Sequence, residues 1–215
     1  MPDPRDLHEA VLAAAKGMLA QGLTKGTSGN VSARLADGHI VITPASVPYP
    51  QMTIEDLAVL TSDGEHVAGP RAPSSEKLLH LACYTAFDEV GAVLHSHPPY
   101  ATMFACARQP VPPVIDEAVL FVGGEVPVAE YAISGSPGVG ANAAAVLSRV
   151  GSALLANHGL VTVAATPAAV LHQAGVVEHT AHVAWGTRAL GGHVPLPVPA
   201  LTALAGVYLG IRGAG

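Results

Sequence analysis

His95 and His97 put two imidazoles two residues apart at the end of a short apolar stretch, Val90–His97. If that stretch is a strand, side chains at i and i+2 leave the same face about 6.5 Å apart, within reach of one ion. Alone, the pair would equally fit two ordinary strand-end histidines. A third, His158, falls inside the apolar run Ser152–Val163, read as a second strand pair hinged at Gly159. An imidazole buried there without a partner would cost free energy, and a shared cation is the economical partner. Three imidazoles without a fourth fixed protein ligand form the open pattern of catalytic zinc, whose use is to polarise a bound oxygen. Manganese or cobalt suits a three-histidine site as well.

Glu76 follows Pro73-Ser74-Ser75 at the expected start of a helix, where backbone donors and hydroxyls collect an anion. It reads either as a carboxylate that complements the helix dipole or, beside a metal, as a general acid/base. The segment Gly22–Arg34, rich in glycine and hydroxyl groups, has the look of a backbone-lined anion cradle. His179 and His182 could chelate at i, i+3 on a helix, or serve a helix–helix or subunit contact. His172 lies on the same helix and is assigned to such a contact, whereas His8, His39, His66, His80 and His193 show no pairing pattern and are assigned to surface or packing.

These groups need elements to hold them. Apolar spacing predicts a helix over 4–21, strands near 31–34, 39–43 and 57–61, and a helix from about 76 with Leu78, Leu79, Ala82 and Cys83 on its buried stripe. The strand 90–97, a helix over 99–107, a strand around 126–130, a helix over 138–150, the strand pair 152–163, a long helix from Thr166 to about Leu190 and a short last helix ending near Tyr208 follow. Strands alternate with helices, yet hairpin-like neighbours occur, which fits one α/β domain over 1–215 with a mixed, largely antiparallel sheet.

Composition removes several function classes. A net charge of −6 without a basic cluster and only 4% aromatic residues argue against nucleic acid. No apolar run approaches the roughly 20 residues of a membrane span. The N-terminus, MPDPRDLHEA, lacks the chemistry of a secretory signal or transit peptide, so a cytoplasmic protein is expected. Cys83 and Cys106 are expected as reduced, packed thiols.

The stretches GTSGNVSAR (26–34), ITP (42–44), PSSE (73–76), VLHSHPPYATMFA (93–105) and LLANHGLVTV (154–163) resemble, in order, the motifs of the class II aldolase/adducin family. The resemblance covers essentially the whole chain. It implies a three-layer α/β/α sandwich, a homotetramer with clefts between subunits, a phosphorylated sugar as substrate, and zinc on His95, His97 and His158, with Glu76 as acid/base. It also implies a phosphate site from Gly26, Thr27, Ser28, Gly29, Asn30, Ser74 and Ser75, with Ala45 and Ser46 standing where family aldolases carry Thr-Gly. A C-terminal tyrosine that reaches a neighbouring site matches Tyr208, and a second tyrosine position is occupied by Glu117, beside Asp116. The expected reaction is reversible cleavage of a ketose 1-phosphate to dihydroxyacetone phosphate and a short aldehyde. Alternatives on the same site are 4-epimerisation of a pentulose phosphate, or decarboxylation or dehydration of a sugar phosphate. A non-catalytic adducin-head-like module or an unrelated zinc hydrolase are rivals of other classes.

Overall fold

The computed structural model describes residues 4–147 and 150–213. Helix α1 (Pro4–Ala20) leads into strands β1 (Asn30–Arg34), β2 (Ile40–Ile42), β3 (Ala58–Leu60) and β4 (His66–Ala68). Then come α2 (Lys77–Ala86), β5 (Ala92–Ser96), α3 (Pro99–Ala107), β6 (Val128–Ala129), α4 (Pro137–Leu147), β7 (Ser152–Leu155), β8 (Gly159–Ala164), α5 (Pro167–Thr187) and α6 (Val198–Gly213). The strands form one sheet in the order β4-β3-β2-β1-β5-β8-β7-β6. Every described pairing is antiparallel except β6 with β7, so the sheet is mixed and largely antiparallel.

Period-two alternation sends the apolar side chains of each central strand to two different cores. On one face Val31, Ala33, Ala92, Leu94, Leu154 and Leu160 pack with Val11, Met18, Phe104, Val170 and Val177 from α1, α3 and α5. On the other face Ile40, Ile42, Leu60, Val93, Val161 and Val163 pack with Leu79, Cys83, Val139 and Leu147 from α2 and α4. Helices therefore cover both faces, as the α/β/α expectation required.

Several local expectations change. His158 is not in a strand: it sits in the turn between β7 and β8, after Asn157 in a left-handed conformation (φ 54°). His97 likewise lies one residue past β5. The sequence pattern overran both strands because apolar residues continue into the turns. Strand β4 is fully exposed and carried no alternation to reveal it. The last helix continues past Tyr208 to Gly213, running through Gly210, which weakens a helix without ending it. The helix expected over 138–150 is described to Leu147, and residues 148–149 lie outside the described chain. Cys83 is buried, but Cys106 is exposed on α3.

Candidate active site

The register of β1 against β5 places Asn30 opposite His95, so the end of the anion-cradle segment and the first histidine are cross-strand neighbours. β8 flanks β5 on its other side, with Leu160 opposite Ser96, which brings the His158 turn over the same end of the sheet. Helix α2 begins there as well. The isolated bridge between Pro44 and Pro73, with Ser74 N–H donating to the Thr43 carbonyl at 3.1 Å, pins the segment before α2 onto the end of β2. Glu76 is the N-cap of α2, and its N–H bonds the Ser74 hydroxyl at 3.2 Å.

The result is a four-residue cluster of Glu76, His95, His97 and His158, whose ligand atoms all lie within 4.8 Å of one another. The Nε2 atoms of His95 and His97 are 2.9 Å apart. Glu76 Oε2 is 3.2 Å from His95 Nε2, and Oε1 is 3.2 Å from His158 Nε2. Tetrahedral ligands at roughly 2.0–2.1 Å from zinc stand about 3.3 Å from one another, so the spacing suits a small cation. The donor chemistry points the same way. His95 Nδ1 is 2.9 Å from the Leu160 carbonyl, which can only accept, so Nδ1 carries the hydrogen and a neutral His95 turns an Nε2 lone pair toward a second imidazole and a carboxylate. Converging lone pairs and an anion in a buried place are a cation site by chemistry.

Two glycines make this closeness feasible. A Cβ on Gly159 would stand 2.4 Å from the Ser96 carbonyl oxygen and 2.7 Å from His97 Cδ2. A Cβ on Gly29, at φ 79°, would meet the His95 carbonyl oxygen at 2.7 Å. Only a residue without a side chain lets these backbones approach the histidine strand.

Glu76 also accepts from Asn30 Nδ2 at 3.0 Å and from the Ser134 hydroxyl at 2.7 Å. Burial alone would push its pKa up; the His158 and His95 rings lower it whenever they carry a proton on Nε2, and the Ser134 hydroxyl donates to it in either case. The net is a carboxyl held well below the usual carboxylate range, an anion. His97 is pushed down to about 4, chiefly by burial and then by the neighbouring imidazoles.

Beside the cluster, one open cleft is lined by Thr27, Ser28, Gly29, Asn30, Ala45, Ser46, Ser74, Ser75, Glu76, His97, Ser134 and His158. Every phosphate-site candidate thus lines it except Gly26, which lies in the same turn. The loop is braced from below: Tyr49 donates to the Gly29 carbonyl at 2.7 Å, and the Thr24 hydroxyl to the Ser28 carbonyl at 2.7 Å. No lysine or arginine lines the cleft among the described residues, so an anion there is met by neutral hydroxyl and amide donors.

The family comparison fits this geometry. The model of the family described as "Class II Aldolase and Adducin N-terminal domain" matches residues 9–185. The chain belongs to the class II aldolase/adducin family. A 5-methylthioribulose-1-phosphate/5-deoxyribulose-1-phosphate aldolase of Rhodospirillum rubrum is 33% identical over 186 residues, 86% of this chain and 83% of that protein. A 5-deoxy-D-ribulose 1-phosphate aldolase of Bacillus thuringiensis is 32% identical over 204 residues, 94% and 95% of the two chains. Among solved structures, an L-fuculose 1-phosphate aldolase superposes with a TM-score of 0.90 at 31% identity, covering 97% of this chain and 98% of its own. The class II aldolase fold therefore accounts for the sheet order and for both helical layers.

Glu117 and Tyr208 are not brought to the histidines of their own chain. Glu117 is exposed and lines a separate groove with Gln21, His172 and His179. Tyr208 is only 4% exposed, packs over Gly123 and lines an apolar cavity with Leu120, Phe121 and Gln173. His179 and His182 form no metal group among the described residues, and His182 stacks on Tyr100 with ring centroids 3.9 Å apart. Ser134, Tyr49 and His80 were missed by sequence reasoning. His80, assigned to surface or packing, is wholly buried and bonded to Asn30. Its signal was available: it stands one helical turn after Glu76, on the same face.

Proposed function

We propose that this chain is a divalent-metal-dependent aldolase that reversibly cleaves a ketose 1-phosphate, L-fuculose 1-phosphate or a related deoxy-ketose phosphate, into dihydroxyacetone phosphate and a short aldehyde. The observation that carries this reading is the single cleft in which Glu76 contacts two of the three clustered imidazoles while hydroxyl-rich loops line the other side. His95, His97 and His158 would hold the metal, with Glu76 near enough to be a fourth ligand. When bound, zinc supplies Lewis-acid polarisation of the ketose oxygens. The chain's own residues do the remainder. Donors from Thr27, Ser28, Asn30, Ser46, Ser74 and Ser75, with the Gly26–Gly29 and Ala45 backbone, orient the phosphate. Cleavage leaves an electron pair on the carbon next to the carbonyl, and Glu76 carries the proton to and from that carbon. Ser134 and Asn30 hold the carboxylate in place for that transfer.

The same reading comprises one domain over 1–215, zinc as the ion, a homotetramer and a cytoplasmic enzyme. Exposed Tyr131, Ile133, Trp185 and Leu190 support subunit contacts. No helix among the described residues is long and apolar enough to cross a membrane. At the aldehyde end, Glu117 of a neighbouring subunit would take the proton of the hydroxyl whose oxygen becomes the aldehyde and return it in the reverse reaction, and Tyr208 could do so only by leaving its present seat. The deciding experiment measures metal content together with dihydroxyacetone phosphate release from fuculose, rhamnulose, ribulose and 5-deoxyribulose 1-phosphates. Release from at least one, lost by about 100-fold or more in Glu76→Gln with metal retained, is the expected result. Substrate turnover without release of dihydroxyacetone phosphate would assign the site to epimerisation, decarboxylation or dehydration instead.

A further inference from the structure

Helix α2 and strand β1 share a polar ladder that the reaction above does not use beyond its first rung. Glu76, the N-cap of α2, is followed by His80 and Tyr84 at intervals of four residues, and β1 presents Asn30, Ser32 and Arg34 at intervals of two. Four helical residues advance about 6.0 Å and two strand residues about 6.6 Å, so the two rows stay in step. The Tyr84 hydroxyl is 2.8 Å from Ser32 Oγ, and Ser32 Oγ is 2.7 Å from His80 Nδ1. His80 Nε2 bonds Asn30 Oδ1, and Asn30 Nδ2 donates to Glu76 Oε2 at 3.0 Å. Arg34 closes the far end, donating to the Tyr84 carbonyl at 2.7 Å with its guanidinium over the Tyr84 ring.

The direction of each bond follows from donor chemistry. A carboxylate only accepts, so the Asn30 amide turns its nitrogen to Glu76 and its oxygen to His80. That oxygen also only accepts, so His80 carries its hydrogen on Nε2 and accepts at Nδ1 from the Ser32 hydroxyl, which in turn accepts from Tyr84. Every hydrogen in the chain points toward Glu76. Asn30, Ser32, His80 and Tyr84 are all buried, with His80 and Ser32 at 0% exposure, and burial keeps the imidazole neutral. In such surroundings each bond polarises the next, and a broken link leaves an unpaired buried group.

We infer that His80 is a positioning residue for Glu76: its Nε2–H fixes the orientation of the Asn30 amide, and the amide fixes the carboxylate against the histidine cluster. Without that N–H, Asn30 is free to turn its oxygen toward Glu76, and the carboxylate loses a donor and its rotamer. The kinetic consequence rests on the proposed aldolase reading, whereas the tautomer and its coupling to Asn30 do not.

The test therefore has two arms. In protein with 15N-labelled histidine, long-range proton–nitrogen spectra at pH 7 are expected to show His80 as the neutral Nε2–H tautomer, metal-free and zinc-loaded. Its Hε2 should be protected from exchange and lose that protection in Asn30→Ala. An Nδ1–H tautomer, an imidazolium, or an Hε2 indifferent to Asn30→Ala would overturn the inference. The kinetic arm compares His80→Leu with His80→Gln, whose side-chain amide can offer an N–H near the ring Nε2 position. With 5-deoxyribulose 1-phosphate, His80→Leu should lower kcat by about 10–100-fold. KM should stay within about three-fold, and His80→Gln should regain most of the loss. Equal losses in both variants, or a loss confined to KM, would also overturn it. If the wild type cleaves no ketose phosphate the aldolase reading fails, and the spectra still decide whether the His80 Nε2–H holds the Asn30 amide.

Discussion

Replacing Gly159 by alanine adds a single methyl group where the sheet and the histidine cluster meet most closely. The new Cβ would lie 2.4 Å from the Ser96 carbonyl oxygen, 2.7 Å from His97 Cδ2 and 3.4 Å from His95 Cε1. Relief to an ordinary contact needs movements of about half an ångström or more, and one of the atoms is backbone held by the β5–β8 ladder through the Ser96–Leu160 pairing. Overpacking of this kind costs about 1–3 kcal/mol. For a chain of this length that corresponds to a melting temperature lower by about 2–12 °C. Because the displaced atoms belong to two metal-ligand candidates whose nitrogens are 2.9 Å apart, zinc affinity should fall as well, by about 10–100-fold. Competition with a chromophoric chelator and thermal melts with and without EDTA measure the two effects. EDTA should lower the melting temperature of the wild type more than that of the variant, since bound ligand stabilises by mass action. A Gly159→Ala protein with wild-type zinc affinity and an unchanged melt would refute both the close approach and the assignment of the ligands.

Other substitutions probe separate parts of the framework. Gly206, inside α6, has nothing within 4 Å of an added Cβ, so Gly206→Ala should stabilise by up to about 1 kcal/mol in urea unfolding. Glu178 accepts from the Tyr100 and Ala101 N–H groups at 3.0 and 2.9 Å and so caps α3 directly after His97. Glu178→Ala should therefore cost about 1–2 kcal/mol by the same measurement. His80, pushed down to about 3 by burial and by His95, is neutral when folded but titrates near 6.5 unfolded. The unfolded chain binds the extra proton, so His80 contributes stability above about pH 6.5 that is lost as pH falls toward 3. Metal-stripped protein should lose about 2 kcal/mol from this group between pH 7 and 5. His97 acts in the same direction, so the smaller pH slope of His80→Gln isolates the His80 share.

What the sequence showed and what it hid divide along a physical line. The helices α1, α2, α3 and α5 carry apolar spacing that only a helix buries, and β5 and β8 carry short apolar runs, so their existence was legible. The positions of His97 and His158 just outside those strands were not. Apolar residues continue past the last ladder pair on both sides, and only the left-handed turn at Asn157 shows where β7 ends. Strand β4 escaped notice because all three residues are exposed and its pairing with β3 is a matter of backbone alone. The convergence of the Gly26–Asn30 and Pro73–Glu76 segments depends on the bridge between Pro44 and Pro73, which neither proline announces.

The histidine count made the site easy to suspect, yet the same count concealed His80. Read as one among eleven histidines, it has no partner at metal-ligand spacing. Its partners belong to a different periodicity, with Glu76 and Tyr84 four residues away on its helix and Asn30 and Ser32 two residues apart on a strand. Neither period is informative until the register of β1 against β5 sets Asn30 opposite His95 and the start of α2 fixes the height of Glu76. Once those two facts are known, each rung follows from the near equality of four helical rises and two strand rises. A polar side chain at the i+4 position of a helix whose first turn holds a catalytic carboxylate thus warrants comparison with the strand beneath, where a buried Asn-x-Ser can continue the contact inward.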